Sequence, residues 1–248
     1  MLNNILEVKN LHKKYHNLKE ETTALLDISF NVKDKEFISI VGPSGCGKST
    51  ILGILSGIME KSSGDINFSK KDPVIGYMLQ QDSLFPWRTV LENCLLGLEI
   101  KKMLTKDRID EVLRMLKTYG LEEFINSYPS SLSGGMRQRV ALIRTLALNP
   151  DILLLDEPFS ALDYQTRLAL ADDVHSIIKK EEKTTIMVTH DIAEAISMSD
   201  KIIVITKRPG VVKNITSIDI NGKPTEIRKH KDFMVYYDKL WKEVDFHV

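Results

Sequence analysis

Cysteine is scarce: the 248-residue chain holds only Cys46 and Cys94. Two lone cysteines form neither a disulfide framework nor a zinc site, and they suit a reducing compartment. No sign of charge prevails, because 34 Lys and Arg face 34 Asp and Glu. The chain therefore lacks the basic surplus that general nucleic-acid binding draws on and has no polybasic membrane anchor. Long apolar runs are missing too. Runs such as Ile152 to Leu155 last only a few residues, whereas a membrane-spanning helix needs about 20. Met1 to Asn10 mixes Asn, Glu and Lys with single apolar residues. It carries no apolar signal core, so the expectation is a chain that stays in the cytosol. No repeat or low-complexity segment stands out. What remains, 43% hydrophobic and 27% charged residues, is an ordinary globular composition, with enough chain for one substantial core or two small ones.

Hydrophobic patterning gives the architecture. Ile5 to Val8 and Ala24 to Val32 read as strands. Phe37 to Val41, Val74 to Leu79, Ile152 to Leu155, Thr184 to Val188 and Lys201 to Thr206 are short, nearly continuous Ile/Val/Leu runs. Such runs suit strands buried on both faces of a parallel sheet. Ile109, Val112, Leu113 and Leu116 follow helical spacing, with Thr105 as N-cap and Gly120 as stop. Met136, Val140, Ile143 and Ala147 form another helical stripe, ended by Asn149-Pro150; Leu170, Val174 and Ile177 form a third. From about Thr89 to Pro150 the pattern is mostly helical. The expectation is an α/β core, about 1–88 and 150–248, interrupted by a helical subdomain over about 89–149.

Gly42-Pro43-Ser44-Gly45-Cys46-Gly47-Lys48-Ser49 fits G-x-x-x-x-G-K-[ST] at every fixed position, between a buried strand pattern and a helical one. Glycines let backbone N–H groups turn towards phosphate oxygens. The helix start adds partial positive charge. Lys48 supplies a full charge to the outer phosphates, and Ser49 offers a hydroxyl to Mg²⁺. Further on, Ile152 to Leu155 ends in Asp156-Glu157. A carboxylate at a strand end can point into the ligand crevice of an α/β sheet. Asp156 is placed for Mg²⁺ and Glu157 to polarise an attacking water. Alternation along a strand gives the two different roles unless the strand stops there. Leu132-Ser133-Gly134-Gly135-Met136 opens a helix, with Ser133 as N-cap. Taken alone, this segment reads either as a second anion cradle or as a flexible capped turn.

These segments together resemble the ATP-binding subunit of ABC transporters, over nearly the whole span from Leu6 to Gly210. The phosphate loop is Gly42 to Thr50, the glutamine loop centres on Gln80, and the signature is Leu132 to Met136. Ile152 to Glu157 is the acidic strand, Ser160-Ala161-Leu162-Asp163 the D-loop, and Thr189-His190-Asp191 carries the switch histidine. The resemblance implies a P-loop NTPase (RecA-like) α/β core with a mostly parallel sheet, an antiparallel β subdomain and an inserted helical subdomain. It implies ATP and Mg²⁺ as cofactors and two chains sandwiching two ATP molecules, each site pairing one chain's phosphate loop with the other's Ser133, Gly134 and Gly135. Gln80 then reaches Mg²⁺ and the water, His190 contacts the terminal phosphate, and Asp163 signals across the interface. Tyr15 stands where the family keeps an aromatic for adenine; stacking and simple strand packing are both open for it. The common signature ends in Gln, and here Met136 stands in its place.

Leu84 to Val90, Leu132 to Arg139 and Lys207 to Gly210 resemble the importers for nitrate, sulfonates, taurine and related small molecules. That likeness implies a separate integral membrane permease, an external solute-binding protein acting indirectly, and residence at the cytoplasmic face of the membrane. No nucleic-acid partner is expected. A soluble ABC ATPase acting on nucleic acid or ribosomes, an exporter subunit, and a non-hydrolysing scaffold are the competing readings. Phe85-Pro86-Trp87 places two large aromatics in a loop, either as a partner site or packed internally. Phe233, Tyr237, Leu240, Trp241 and Val244 form a C-terminal helical stripe. From Lys231 to Val244 three lysines balance three acids, which favours packing on the core over a membrane-surface helix.

Overall fold

The computed structural model describes residues 4–16, 21–160 and 162–244. Ala161 of the expected D-loop lies outside the described residues. Strands β3 (Phe37–Val41), β6 (Ile152–Asp156), β7 (Thr184–Thr189) and β8 (Lys201–Ile205) are buried at every position. This is the burial that continuous apolar runs anticipate for a sheet covered on both faces. With β5 (Ile75–Met78) and β9 (Val212–Ser217) they form a six-stranded sheet in the order β5-β6-β7-β3-β8-β9. Every pairing is parallel except β8 with β9. The C-terminal ends of β5, β6, β7 and β3 therefore lie along one edge, where α/β sheets hold their ligands.

A second sheet is antiparallel: β1 (Asn4–His16) pairs with β2 (Glu21–Lys33) on one side and β4 (Ser63–Phe68) on the other. It stacks on the first through Leu6, Leu25, Ile28 and Val32, which share a buried cluster with Ile38, Ile40, Leu154 and Ile186. Helix α1 (Lys48–Leu55) lies between the sheets through Ile51, Leu52, Ile54 and Leu55 of that cluster.

Helices α2 (Val90–Ile100), α3 (Lys106–Thr118) and α4 (Gly134–Leu146) fall between β5 and β6. Their starts are encoded locally. Thr89 and Glu92 form a reciprocal capping box on α2. The Thr105 hydroxyl accepts from Arg108 N, and Ser133 accepts from Met136 N. Gly120, at φ 74°, follows the end of α3 as a left-handed stop. Val112, Leu116, Val140, Ile143 and Leu146 join Leu153, Leu155 and Met187 in one core, so these helices pack on the sheet as well as on each other. Helix α5 (Tyr164–Lys180) adds Leu170, Val174 and Ile177 to it. Helices α6 (Ile192–Met198), α7 (Pro224–Ile227) and α8 (Phe233–Glu243) cover β8. Phe233, Leu240 and Val244 pack against Ile192, Ala195 and Ile196, with Tyr237 partly buried beside them, whereas Trp241 of the same stripe stays 51% exposed.

Strand limits differ by a residue or two from the sequence expectation: Val74, Leu79 and Thr206 fall outside their strands. β1 runs on to His16, well past the apolar pattern that ends at Val8. Its pairing slips between Val8 and Leu11, and Asn10 takes φ 48° there, so the alternation changes phase midway.

Candidate active site

The turn after β3 has no room for side chains at two of its glycines. A Cβ on Gly42 would stand 2.6 Å from the Ile205 carbonyl oxygen, and one on Gly47 would stand 2.5 Å from Leu25 Cδ2, with φ already at 106°. The Lys48 side chain is buried and folds back along the turn. Its Nζ donates to Gly42 O at 2.8 Å and Pro43 O at 3.1 Å. The charge is thereby fixed over the loop by backbone carbonyls rather than by a carboxylate. No acidic residue stands in the first turn of α1 to compete with an anion for its free N–H groups. Arg208, reached from β8, donates to Gly45 O at 3.1 Å and adds a second cation.

A cavity of about 380 Å³ opens beside this turn, and Tyr15, Ser44, Lys48, Gln80, Glu157 and Arg208 are among its walls. Gly45, Gly47, Ser49 and Thr50 also face it, whereas Gly42, Pro43 and Cys46 lie behind and shape the turn. Burial pushes the Cys46 thiol up, so it stays a neutral packing group. Tyr15 is partly exposed, and its hydroxyl lies 3.3 Å from Thr50 Oγ1. Its ring therefore forms part of the rim rather than of the core.

Asp156 ends β6 and is buried. Ser49 Oγ donates to its Oδ1 at 2.9 Å and Tyr77 OH to its Oδ2 at 3.0 Å. Burial raises the Asp156 carboxyl above its ordinary range, while the two hydroxyl donors oppose the rise. The strand stops there, because Glu157 takes φ 44°. This turn brings Glu157 to the cavity instead of the opposite face. Its Oε2 lies 3.4 Å from Gln80 Nε2 and 3.2 Å from His190 Nδ1. Ser160 holds the turn, donating through Oγ to Glu157 O at 3.1 Å and accepting from Gln80 Nε2 at 3.2 Å. The ends of β5, β6 and β7 thus converge, one polar side chain from each.

Ser133, Gly134 and Gly135 are not among the walls of this cavity. The Ser133 hydroxyl caps its own helix. The segment is tied back to the glutamine loop through Arg137, whose Nε lies 3.0 Å from Asp82 Oδ2 and whose Nη1 donates to Leu132 O at 2.8 Å. One chain therefore holds two separated glycine-rich helix starts, at Gly47–Lys48 and at Ser133–Gly134.

Two groups at the site have no role legible in the sequence. Tyr77 sits within a strand pattern and shows no motif, and Arg208 reaches Gly45 across 163 residues of sequence. Arg208 itself falls in the importer-like stretch Lys207 to Gly210, which points to a branch of the family and not to this contact.

The family model described as ABC transporter matches residues 25–160, more than half of the chain. The chain belongs to the ABC transporter family. It is 46% identical to the uncharacterized ABC transporter ATP-binding protein YtlC of Bacillus subtilis, over 97% of this chain and 95% of that protein. It is 34% identical to the nitrate import ATP-binding protein NrtD of Synechocystis, over 95% and 93%. The spermidine/putrescine import ATP-binding protein PotA of Mycoplasma capricolum is 42% identical, over 92% of this chain and 64% of that protein. Among solved structures, the ATP-binding cassette MJ0796 in a dimeric post-hydrolysis state, bound to ADP and Pi, superposes with a TM-score of 0.73 at 34% identity, over 87% of this chain and all of that one. This ABC protein is accordingly an ATP-binding, ATP-hydrolysing subunit coupled to transport, with an α/β cassette fold. Among the described residues no helix is long and apolar enough to cross a membrane.

Proposed function

We propose that this ABC subunit hydrolyses ATP between two copies of itself and so drives import of a small solute through a separate membrane permease. The convergence of Gln80 and His190 on Glu157, with Gln80 and Glu157 lining the cavity beside the Lys48 loop, carries this reading. The triphosphate lies along the Gly42–Thr50 turn, with Lys48 and Arg208 facing its outer charges and Tyr15 beside the base. Glu157 takes a proton from water as the water oxygen attacks the γ-phosphorus. The bond from that phosphorus to the bridging oxygen breaks, and ADP and phosphate leave. Gln80 and His190 orient the Glu157 carboxylate, and His190 contacts the terminal phosphate of the bound nucleotide.

Ser49, Asp156 and Gln80 offer oxygen donors, the set that suits Mg²⁺. Among the described residues no group of three or more His, Cys, Asp or Glu side chains could hold a metal ion. This fits an ion whose coordination is completed by phosphate oxygens and water. When bound, Mg²⁺ neutralises charge on the β- and γ-phosphates. Ser133, Gly134 and Gly135 face the nucleotide of the second copy; their distance from their own chain's cavity and the dimeric MJ0796 cassette support that arrangement.

The chain acts as one ATP-binding domain, with a core about 1–88 and 150–248 and a helical subdomain about 89–149. The permease docks near Phe85-Pro86-Trp87. Buried Asn93 shapes that loop, accepting from Phe85 N and donating to Phe85 O, Arg88 O and Thr89 O. Trp87 is left 70% exposed, its ring 5.0 Å from that of Phe85. NrtD and PotA, both named as import subunits, support import. The solute is nitrate-, sulfonate- or taurine-like or related, and an external binding protein delivers it to the permease. The subunit works at the cytoplasmic face of the membrane, without nucleic acid. Trp87→Ala tests the coupling. The isolated subunit should keep its ATPase rate within about twofold, while stimulation by the reconstituted permease should fall by about tenfold or more, the loss typical of an aromatic hot spot. Unchanged solute uptake by vesicles carrying the variant would contradict the docking site.

A further inference from the structure

The switch segment and the loop after β6 meet at one guanidinium. Asp163 caps α5, accepting from Thr166 N at 3.0 Å, and Arg167 stands in the first turn behind it. Arg167 Nη2 donates to Leu162 O at 3.2 Å. Its Nη1 lies 3.6 Å from Asp191 Oδ2 and 3.6 Å from Glu194 Oε1. Those two carboxylates build the turn around His190. Asp191 Oδ1 accepts from Ala193 N at 2.8 Å and Glu194 N at 3.1 Å. Glu194 Oε2 accepts from Thr189 Oγ1 at 2.8 Å, and Thr189 Oγ1 accepts in turn from Asp191 N at 3.0 Å. The residues on both sides of His190 are therefore fastened to groups that face Arg167.

Packing alone does not account for this cluster. Glu194 is buried, and burial followed by the nearby Asp191 charge pushes its carboxyl up to about 7, against the pull of Thr189, Arg167 and Arg228. A buried ionic group adds little stability compared with an apolar one of the same size; a register or switching role is its best-attested use. Arg167 is not among the walls of the nucleotide cavity, yet its side chain joins the backbone of the Leu162 loop to the His190 turn.

We propose that Arg167 and Glu194 are positioning residues that couple the Leu162 loop to His190, so that His190 is aligned for hydrolysis when that loop is seated against a second copy of the chain. The coupling rests on the two-copy reading given above, which supplies the surface that seats the loop. Displacement of Leu162 O moves its guanidinium donor, and the same guanidinium holds the helix that starts two residues beyond His190.

Steady-state kinetics on the full chain, with Mg-ATP affinity measured by calorimetry, tests this. Arg167→Met should lower kcat about tenfold, within the range of ordinary coupling between sites, and leave Mg-ATP affinity within about twofold. Glu194→Gln keeps the volume and the Thr189 hydrogen bond and should lose a similar factor. Combined in one chain, the two should cost about tenfold rather than the hundredfold product, because each breaks the same connection. Arg167→Lys, which keeps a charge facing both carboxylates, should recover part of the loss. Should Arg167→Met not fold, Glu194→Gln and Arg167→Lys decide by the same two readouts. Wild-type kcat in the folded variants, multiplicative losses, or a parallel fall in affinity would overturn the coupling. Mg-ATP-dependent pairing of Glu157→Gln is followed alongside. Absence of pairing there removes the two-copy reading itself, whereas pairing with an undiminished Glu194→Gln rate removes only the coupling.

Discussion

Glu157→Gln should bind Mg-ATP, hydrolyse it about 10²–10⁴-fold more slowly, the usual cost of losing a general base, and accumulate as a nucleotide-bound pair of chains. The size of the effect follows from what the substitution leaves in place. The amide has the carboxylate's shape and its oxygen can still accept from Gln80 Nε2, so the φ 44° turn, the Ser160 contacts and the Lys48 loop stay as they are. What goes is the ability to take a proton from water. Removing a negative charge near the phosphates also weakens their repulsion, which favours the bound state. A ligand held between two copies shifts the population to the closed form as long as it is not consumed. Size-exclusion chromatography with light scattering, with and without ATP, reads the pairing, and phosphate release reads the rate. A variant with the full rate would take Glu157 out of the reaction.

Lys48→Ala should lose nucleotide affinity and, with it, ATPase activity. The Nζ is buried and held by Gly42 O and Pro43 O, so its position is fixed before any ligand arrives. A preorganised charge loses little entropy on binding. Charge-assisted hydrogen bonds contribute roughly 1.5–3 kcal/mol each, so deleting the group should weaken Mg-ATP binding by about 10–100-fold. The fold itself should persist, since Ile51, Leu52, Ile54 and Leu55 still anchor α1. Calorimetric titration gives the dissociation constant directly; an unchanged value would sink the assignment of the loop.

The parts of the fold that could be read in advance are those where one physical rule dominates. β3, β6, β7 and β8 are buried on both faces, which forces uninterrupted apolar runs. β4 and β9 leave no such run because they lie at the ends of their sheets, half exposed, with Asp65, Asn67, Lys213 and Asn214 between their apolar residues. The second half of β1 was hidden by the phase change at Asn10.

The site divides in the same way. The glycine turn, the strand-end acids and the Ser133 cap have local signatures, since backbone conformation, charge at a strand end and helix capping are settled within a few residues. Alternation alone would have sent Asp156 and Glu157 to opposite faces. The end of β6 at Asp156 and the left-handed Glu157 decide otherwise, and no propensity rule announces a non-glycine residue there. Tyr77, Arg208, Arg167 and Glu194 act through contacts made only after the sheet has assembled, so their roles follow from strand order and not from spacing along the chain.

The central claim, that one active site is built from two chains, is tested most directly by mixing two inactive proteins. A Lys48→Ala chain keeps an intact Ser133 segment; a Ser133→Arg chain keeps an intact phosphate loop. Each alone should show little ATPase activity. Combined, they should recover activity, because the pair contains one site made of the sound loop of one chain and the sound signature of the other. A mixture no more active than the sum of its parts, at concentrations where the wild-type protein pairs, would contradict the account.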